Sequence, residues 1–575
     1  MTAKGVDRTA ARAAGACLTW LLLVSAAGAQ SAIRLRDATA ESGIAFRHTD
    51  GSGGHRYIVE TVASGLATLD YDGDGLTDVY FLNGAPLKGT PWTEPPPRNA
   101  LYRNLGGFRF EDVTQKSGVG DTGHGLGVAA ADFDNDGHLD LYVSNYGPKI
   151  LYRNNGDGTF TDVTRRAGVA DGSKVGAGAC FLDADADGHL DLYVANYVRF
   201  TYDNHVPRTI RGVPMYHGPR DYDPSPATFF RNNGDGTFAD LSKESGIASV
   251  AGTGMGTVCF DCDADGDTDV FVCNDVRANF LFLNDGTGKF VESGLIRGVA
   301  YNFYGQANGS MGADCGDFDR DGWLDLFMTD YQNELPVLYK NLGNGFFEDF
   351  TFRTGAGAGS LPYVKWGTGF VDFDNDGDLD LFLACGHIQD NIERVDDSTA
   401  YETYNVLLEN VGGKFVDVSA QCGLRSLPKR SARGAAFDDL DNDGRIDVVV
   451  LNSRREPTLL RNETANGNHF LDVRLQGVKS NRDGVGAQVT VIAGELIQRA
   501  EVHSGRGYQG HFGTRLHFGL GQRQKVDRIE VRWLGGGLDV LLDAPADRLL
   551  TIREGSSRKE RGQEHRRGLG SGRDL

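Results

Sequence analysis

One nonapeptide, Asp-x-Asp-x-Asp-Gly-x-x-Asp, occurs seven times in the chain, starting at Asp70, Asp132, Asp183, Asp261, Asp317, Asp372 and Asp439. The copies lie roughly 50–80 residues apart. Repetition at such a period means one supersecondary unit per copy, each stacked on its neighbours. Every copy follows a short Gly/Ala-rich apolar stretch, such as 125–131 or 367–371, and precedes a run such as Val79-Tyr80-Phe81 or Val448-Val449-Val450. The β-branched and aromatic content predicts strands on both flanks.

A second pattern lies between copies, seen as Leu151-Tyr-Arg-Asn-Asn-Gly-Asp-Gly-Thr-Phe160 and again over 229–238. Asn-Gly and Asp-Gly between apolar runs mark a tight hairpin, because primed turns need positive φ. Each unit therefore reads as four strands, with the acidic loop between the first and second and the glycine hairpin between the third and fourth. Repeated four-stranded units indicate a β-propeller. Fourth strands begin near Phe110, Phe160, Phe238, Phe290, Phe347 and Phe415, six for seven acidic loops. The segment Leu35-Arg-Asp-Ala-Thr39 has the same character and is expected to complete the last unit and lock the ring. The fold class expected is all-β: a seven-bladed propeller over 31–465, then a small β-sandwich over 466–554.

The acidic loops carry the chemistry. Carboxylates at positions one, three, five and nine, with glycine at six permitting the sharp turn, converge on one point and suit a hard cation. Six to eight oxygen ligands is calcium chemistry, whereas magnesium retains water and takes fewer protein groups. The candidate ligands are Asp70, Asp72, Asp74 and Asp78; Asp132, Asp134, Asp136 and Asp140; Asp183, Asp185, Asp187 and Asp191; Asp261, Asp263, Asp265 and Asp269; Asp317, Asp319, Asp321 and Asp325; Asp372, Asp374, Asp376 and Asp380; and Asp439, Asp441, Asp443 and Asp447, for up to seven calcium ions. An EF-hand is excluded. Its twelfth position needs Glu, and here that position is Phe81, Val143, Val194, Val272, Met328, Leu383 or Val450. Without a cation, crowded carboxylates would repel one another and raise their pKa values.

The formal net charge of −21 argues against nucleic acid or an anionic membrane surface as partner, since both need a basic face. Residues 1–29 read as a secretory signal peptide: Lys4, Arg8 and Arg12, an apolar run from Ala14 to Ala27, then Ala27-Gly28-Ala29. The run of about 14 residues is short of the ~20 needed to span a bilayer, so no transmembrane segment is expected in the mature chain. The expected location is secreted, extracellular or periplasmic. Seven cysteines remain, an odd number that is no disulfide framework; they read as buried small side chains, with one bridge between Cys259 and Cys273 left open. The basic Gly/Ser-containing tail, 555–575, is expected to be disordered.

The loops, with the glycine stretch before each, resemble FG-GAP/VCBS repeats of integrin-α-like propellers. Residues 468–554 resemble the ASPIC/UnbV domain, through Asn468-His-Phe-Leu-Asp-Val-Arg-Leu475, Ser504-Gly-Arg-Gly-Tyr508 and Leu516-His-Phe-Gly-Leu-Gly521 among others. The chain as a whole is similar to the secreted cartilage-acidic-protein-like family. In the C-terminal domain, Arg482/Asp483 and His503/His511 are either ligand contacts or strand-edge ion pairs and surface histidines.

Acidic loops and glycine hairpins should share one face of the ring, leaving the longer insertions 84–98, 197–227, 299–310 and 386–405 on the other. Loops on a rigid scaffold carry binding residues. Tyr202, Arg211, Tyr216, His217 and His387 are the candidate ligand face, and a lid packed over the central channel is the competing reading of 197–227. With no G-x-S-x-G, H-E-x-x-H or P-loop present, the function expected is an exported, non-catalytic calcium propeller binding an extracellular or envelope glycan or protein. The alternatives are a polysaccharide lyase or dehydratase working on the insertion face, and a biosynthetic accessory protein.

Overall fold

A computed structural model describes residues 31–557 apart from 63 and 92–94. The signal-peptide reading, and all of the tail but 555–557, lie outside the described residues. Residues 555–557 are held in place: the Gly555 and Ser557 amides and the Ser557 hydroxyl all donate to Asp539.

Seven antiparallel four-stranded sheets form the bulk of the chain. In blade two, for example, the strands are His124–Ala131, Asp140–Tyr146, Ile150–Asn154 and Phe160–Asp162. The first strand of each blade lies beside the first strands of the blades before and after it. Ala432–Asp438 lies beside Leu66–Leu69, so the ring closes. The N-terminal strand Leu35–Asp37 pairs with Thr458–Asn462, Leu35 opposite Asn462, and supplies the fourth strand of blade seven as the sequence predicts. Glycines in the inner strands let neighbouring backbones approach at the crowded axis. A Cβ on Gly127 would meet the Ala177 carbonyl oxygen at 2.1 Å, and one on Gly312 would meet that of Trp366 at 2.4 Å.

The C-terminal domain is a β-sandwich. A three-stranded sheet (Arg515–Gly521, His469–Gln476, Leu549–Arg553) faces a four-stranded one (Leu496–Glu501, Gln488–Ala493, Lys525–Arg532, Leu538–Pro545). It is seated on the acidic-loop face of the ring. Arg474 reaches Asp70 at 3.2 Å, Asp483 accepts the Asp132 amide at 2.7 Å, and Arg515 pairs with Asp438 at 2.5 Å.

From this domain a loop descends into the axis of the propeller. The Ser504 hydroxyl donates to the Ala130 carbonyl, Gly507 and Ala313 exchange backbone hydrogen bonds, and His511 and Leu66 are joined by another. At its tip Tyr508 is fully buried beside Trp366, ring centroids 5.0 Å apart, and its hydroxyl donates to the Val62 carbonyl. His503 and His511 are therefore channel residues, not surface histidines.

All seven cysteines of the described residues are buried and free, so the open alternative of a Cys259–Cys273 bridge does not hold. The side chains of Cys180 and Cys315 instead contact the descending loop, at the Gly505 carbonyl and at His503.

Candidate metal centres

The loop geometry repeats from blade to blade. The position-one carboxylate turns back on its own loop. Asp132 accepts the Asp136 amide on Oδ1 and the Gly137 amide on Oδ2, at 2.9 and 2.7 Å. The position-nine carboxylate is held by two backbone amides, one per oxygen. Asp140 accepts from Asn154 at 2.7 Å and Phe133 at 3.1 Å, and Asp447 accepts from Asn462 and Leu440 in the same way. Each carboxylate oxygen has two lone pairs, so these bonds orient the group while leaving it able to ligate. One oxygen each from Asp70, Asp72 and Asp78, and likewise from Asp132, Asp134 and Asp136, lie within 4.8 Å of one another.

Burial raises the pKa of these acids. Asp78 is pushed up to about 8, and Asp132, Asp183 and Asp439 to about 7, with desolvation the first cause in each. Oδ1 of Asp70, Asp134, Asp185, Asp261, Asp263, Asp267 and Asp441 is buried and meets no hydrogen-bond donor. A buried carboxylate oxygen without a partner is costly unless something cationic meets it. The donor set, all hard oxygen, fits calcium.

Two elements of the centres are absent from a reading of the loops alone. The first is an Asn that ends every third strand: Asn104, Asn154, Asn232, Asn284, Asn341, Asn410 and Asn462. Its amide bridges to the preceding blade, as where Asn154 donates to the Tyr71 carbonyl. The second is the residue just before that Asn, which is basic in five blades. Arg103 pairs with Asp72 and Asp74, and Arg153 with Asp134 and Asp136. The signal was present in the Tyr-Arg-Asn preceding the glycine hairpin, whose Arg and Asn point toward the loop.

The FG-GAP-like repeat family matches residues 70–143, 132–194, 261–328 and 317–383, and the ASPIC and UnbV family matches 477–559. This is an FG-GAP repeat protein with an ASPIC/UnbV domain. It is 26% identical over 436 residues to human cartilage acidic protein 1, across 72% of this chain and 60% of that protein. To the Xenopus tropicalis protein of the same name it is 27% identical, across 56% of this chain and 48% of the relative. The chain thus spans about half to three-fifths of the length of these relatives. Among solved structures it is similar to one of BBS1N in complex with ARL6DN, with a TM-score of 0.41 and 9% identity, covering 76% of this chain and 99% of that one. That likeness is too distant to bear on what this chain binds.

Of the five residues of the anticipated ligand face, two are buried. Tyr216, 4% exposed, donates its hydroxyl to Glu60 at 2.8 Å, and His387, 1% exposed, lies against Tyr331 and Gln332. Tyr202 is half-buried, edge-on to Tyr57. His217 is half-buried and hydrogen-bonded to Asp221; Arg211 alone of the five is exposed, donating to the Val395 carbonyl. Tyr197, Phe200 and Tyr222 pack in one apolar cluster with Tyr57 and Tyr508, so the 197–227 insertion is a lid over the plugged channel. No helix among the described residues is long and apolar enough to cross a membrane.

What stays open on the insertion side is the 299–310 connection. Phe303, Tyr304 and Phe352, exposed by 63, 68 and 57%, pack edge to face with centroids 5.5–6.0 Å apart. They border a cleft of about 280 Å³ lined also by Asn302, Gln306, Asn333 and Glu334.

Proposed function

We propose that this protein is an exported calcium-stabilised propeller that binds a glycan of the envelope or extracellular space without transforming it. The calcium reading rests on the buried carboxylate oxygens of five loops that meet no donor, together with the hard oxygen ligand set repeated in all seven. Calcium supplies two positive charges to each loop, and the loop's aspartates hold it while the position-nine carboxylate anchors the loop to the backbone. The partner reading rests on the aromatic cleft. Exposed rings flanked by amides and a carboxylate match a sugar, whose C–H faces stack on aromatic rings and whose hydroxyls hydrogen-bond to polar side chains. Export is supported by the charged and apolar character of residues 1–29.

The test has two arms. Metal analysis of the purified protein should find calcium, and its removal should lower the melting temperature; a metal-free protein with an unchanged melt would overturn the calcium reading. A glycan array should give a hit that the double variant Phe303→Ala/Tyr304→Ala loses, with its melting temperature unchanged. A hit that survives the double variant would move the partner elsewhere.

A further inference from the structure

The residue before the clamping Asn divides the seven loops into two classes, resting on the reading of these loops as calcium sites. In blades one, two, three, five and seven it is Arg103, Arg153, Arg231, Lys340 and Arg461. Each bridges the position-three and position-five carboxylates of its own loop. Arg103 lies 2.6 and 2.9 Å from Asp72 and Asp74, and Arg153 2.5 Å from both Asp134 and Asp136. Arg231 pairs with Asp185 and Asp187, Lys340 with Asp319 and Asp321, and Arg461 with Asp441 and Asp443.

Blades four and six lack this cation. Leu283 takes the place in blade four and Glu409 in blade six. Both loops also carry a fifth carboxylate at position seven, Asp267 and Asp378. In blade four Oδ1 of Asp261, Asp263 and Asp267 all meet no donor, and Arg297 stands 3.4 Å from Asp263 without reaching the position-five Asp265. In blade six the basic residue at hand, Arg320, pairs with Asp378 at 3.1 Å, at position seven rather than across positions three and five.

We infer that blades four and six hold the tight calcium sites, and that the other five bind calcium only by displacing a built-in guanidinium or ammonium. The physical reason is competition. A monovalent cation paired with two ligand carboxylates screens them from an arriving dication, and freeing it forfeits those ion pairs, which at Arg153 and Lys340 are two charge-assisted hydrogen bonds each. Blades one and seven should be the weakest, because each has a second cation: Arg474 on Asp70 beside Arg103, and Arg445 with Arg461 on Asp443.

The experiment is a calcium titration of the intact metal-stripped protein by isothermal calorimetry, with bound metal counted at each free calcium concentration. Two sites should fill first, with affinity roughly tenfold or more above the rest. Glu409→Arg should leave one site in the tight class, and Arg153→Leu should add one to it. Glu409→Arg also mimics the five paired loops, so its metal-free form should melt no lower than the parent, which separates loss of a site from loss of the fold. Seven equivalent sites, or a tight class untouched by both substitutions, would overturn the inference while leaving the calcium reading standing. No calcium binding at all would overturn both.

Discussion

The side-chain amide of Asn104 donates to the carbonyl of Leu440 at 2.7 Å, tying the third strand of blade one to the acidic loop of blade seven. The same amide donates to the Thr77 carbonyl at 2.9 Å, and the Asn104 backbone amide donates to Asp78 at 2.7 Å. One residue thus anchors its own loop and the neighbouring blade. Six equivalent asparagines repeat the clamp between the other blades, as Asn462 does to the Phe373 carbonyl. Between blades one and seven the clamp joins residues more than 300 positions apart and reinforces the closure of the ring.

Asn104→Ala removes the donor for two carbonyls in buried surroundings. The expected loss is about 2–6 kcal/mol, from roughly 1–3 for each group left unsatisfied. Urea denaturation monitored by circular dichroism should show an earlier midpoint, and an unmoved midpoint would mean the clamp is ornamental to stability.

Tyr508 tests the plug. Tyr508→Phe leaves the Val62 carbonyl without its donor and should cost about 1–2 kcal/mol. Tyr508→Ala also opens a cavity beside Trp366 and should cost about 3–5 kcal/mol. Because the plug hydrogen-bonds to inner strands around the axis, propeller and sandwich should unfold in one transition. Two separated transitions in the parent protein would show that docking does not couple them.

The plug should also make the protein acid-sensitive. Burial pushes His503 and His511 each down to about 3, the first cause in both being desolvation. Their folded pKa values lie below the unfolded value, so the stability they carry is full above about pH 6.5 and is lost as the pH falls below it. At saturating calcium, stability should fall by about 1.4 kcal/mol per pH unit for each such histidine below pH 6. Denaturation midpoints at pH 7.0, 6.0 and 5.5 check this; a flat profile would mean that these imidazoles are hydrated in solution.

Calcium removal should destabilise the ring strongly. At free calcium of about 100 times Kd, each filled site contributes about 2.7 kcal/mol. Differential scanning calorimetry with and without chelator should therefore show a drop of many degrees, restored by calcium and not by an equal concentration of magnesium. Equal restoration by magnesium would point to a smaller, octahedral site.

Seven blades, their strand order, the N-terminal strand in blade seven and the sandwich after them were all legible in the chain, because each is written in a local signal. Nine residues specify an acidic loop, Asn-Gly a hairpin, and alternation a strand, and a repeat makes each signal seven times stronger. The candidate ligand face was not legible. Tyr216 and His387 read as loop residues, yet Tyr216 meets Glu60, and His387 meets Tyr331 and Gln332, across the folded chain. Nor did the sequence place the ASPIC/UnbV domain on the acidic face or drive Tyr508 down the axis. Those outcomes depend on contacts such as Ser504 with Ala130, 374 positions apart. The repeat by itself determined where carboxylates gather and where chains turn, since both are short-range consequences of residue type. Only the tertiary structure decided which carboxylates are matched by a cation and which buried oxygens lack a donor, because charge pairing and burial depend on what the rest of the chain brings beside them.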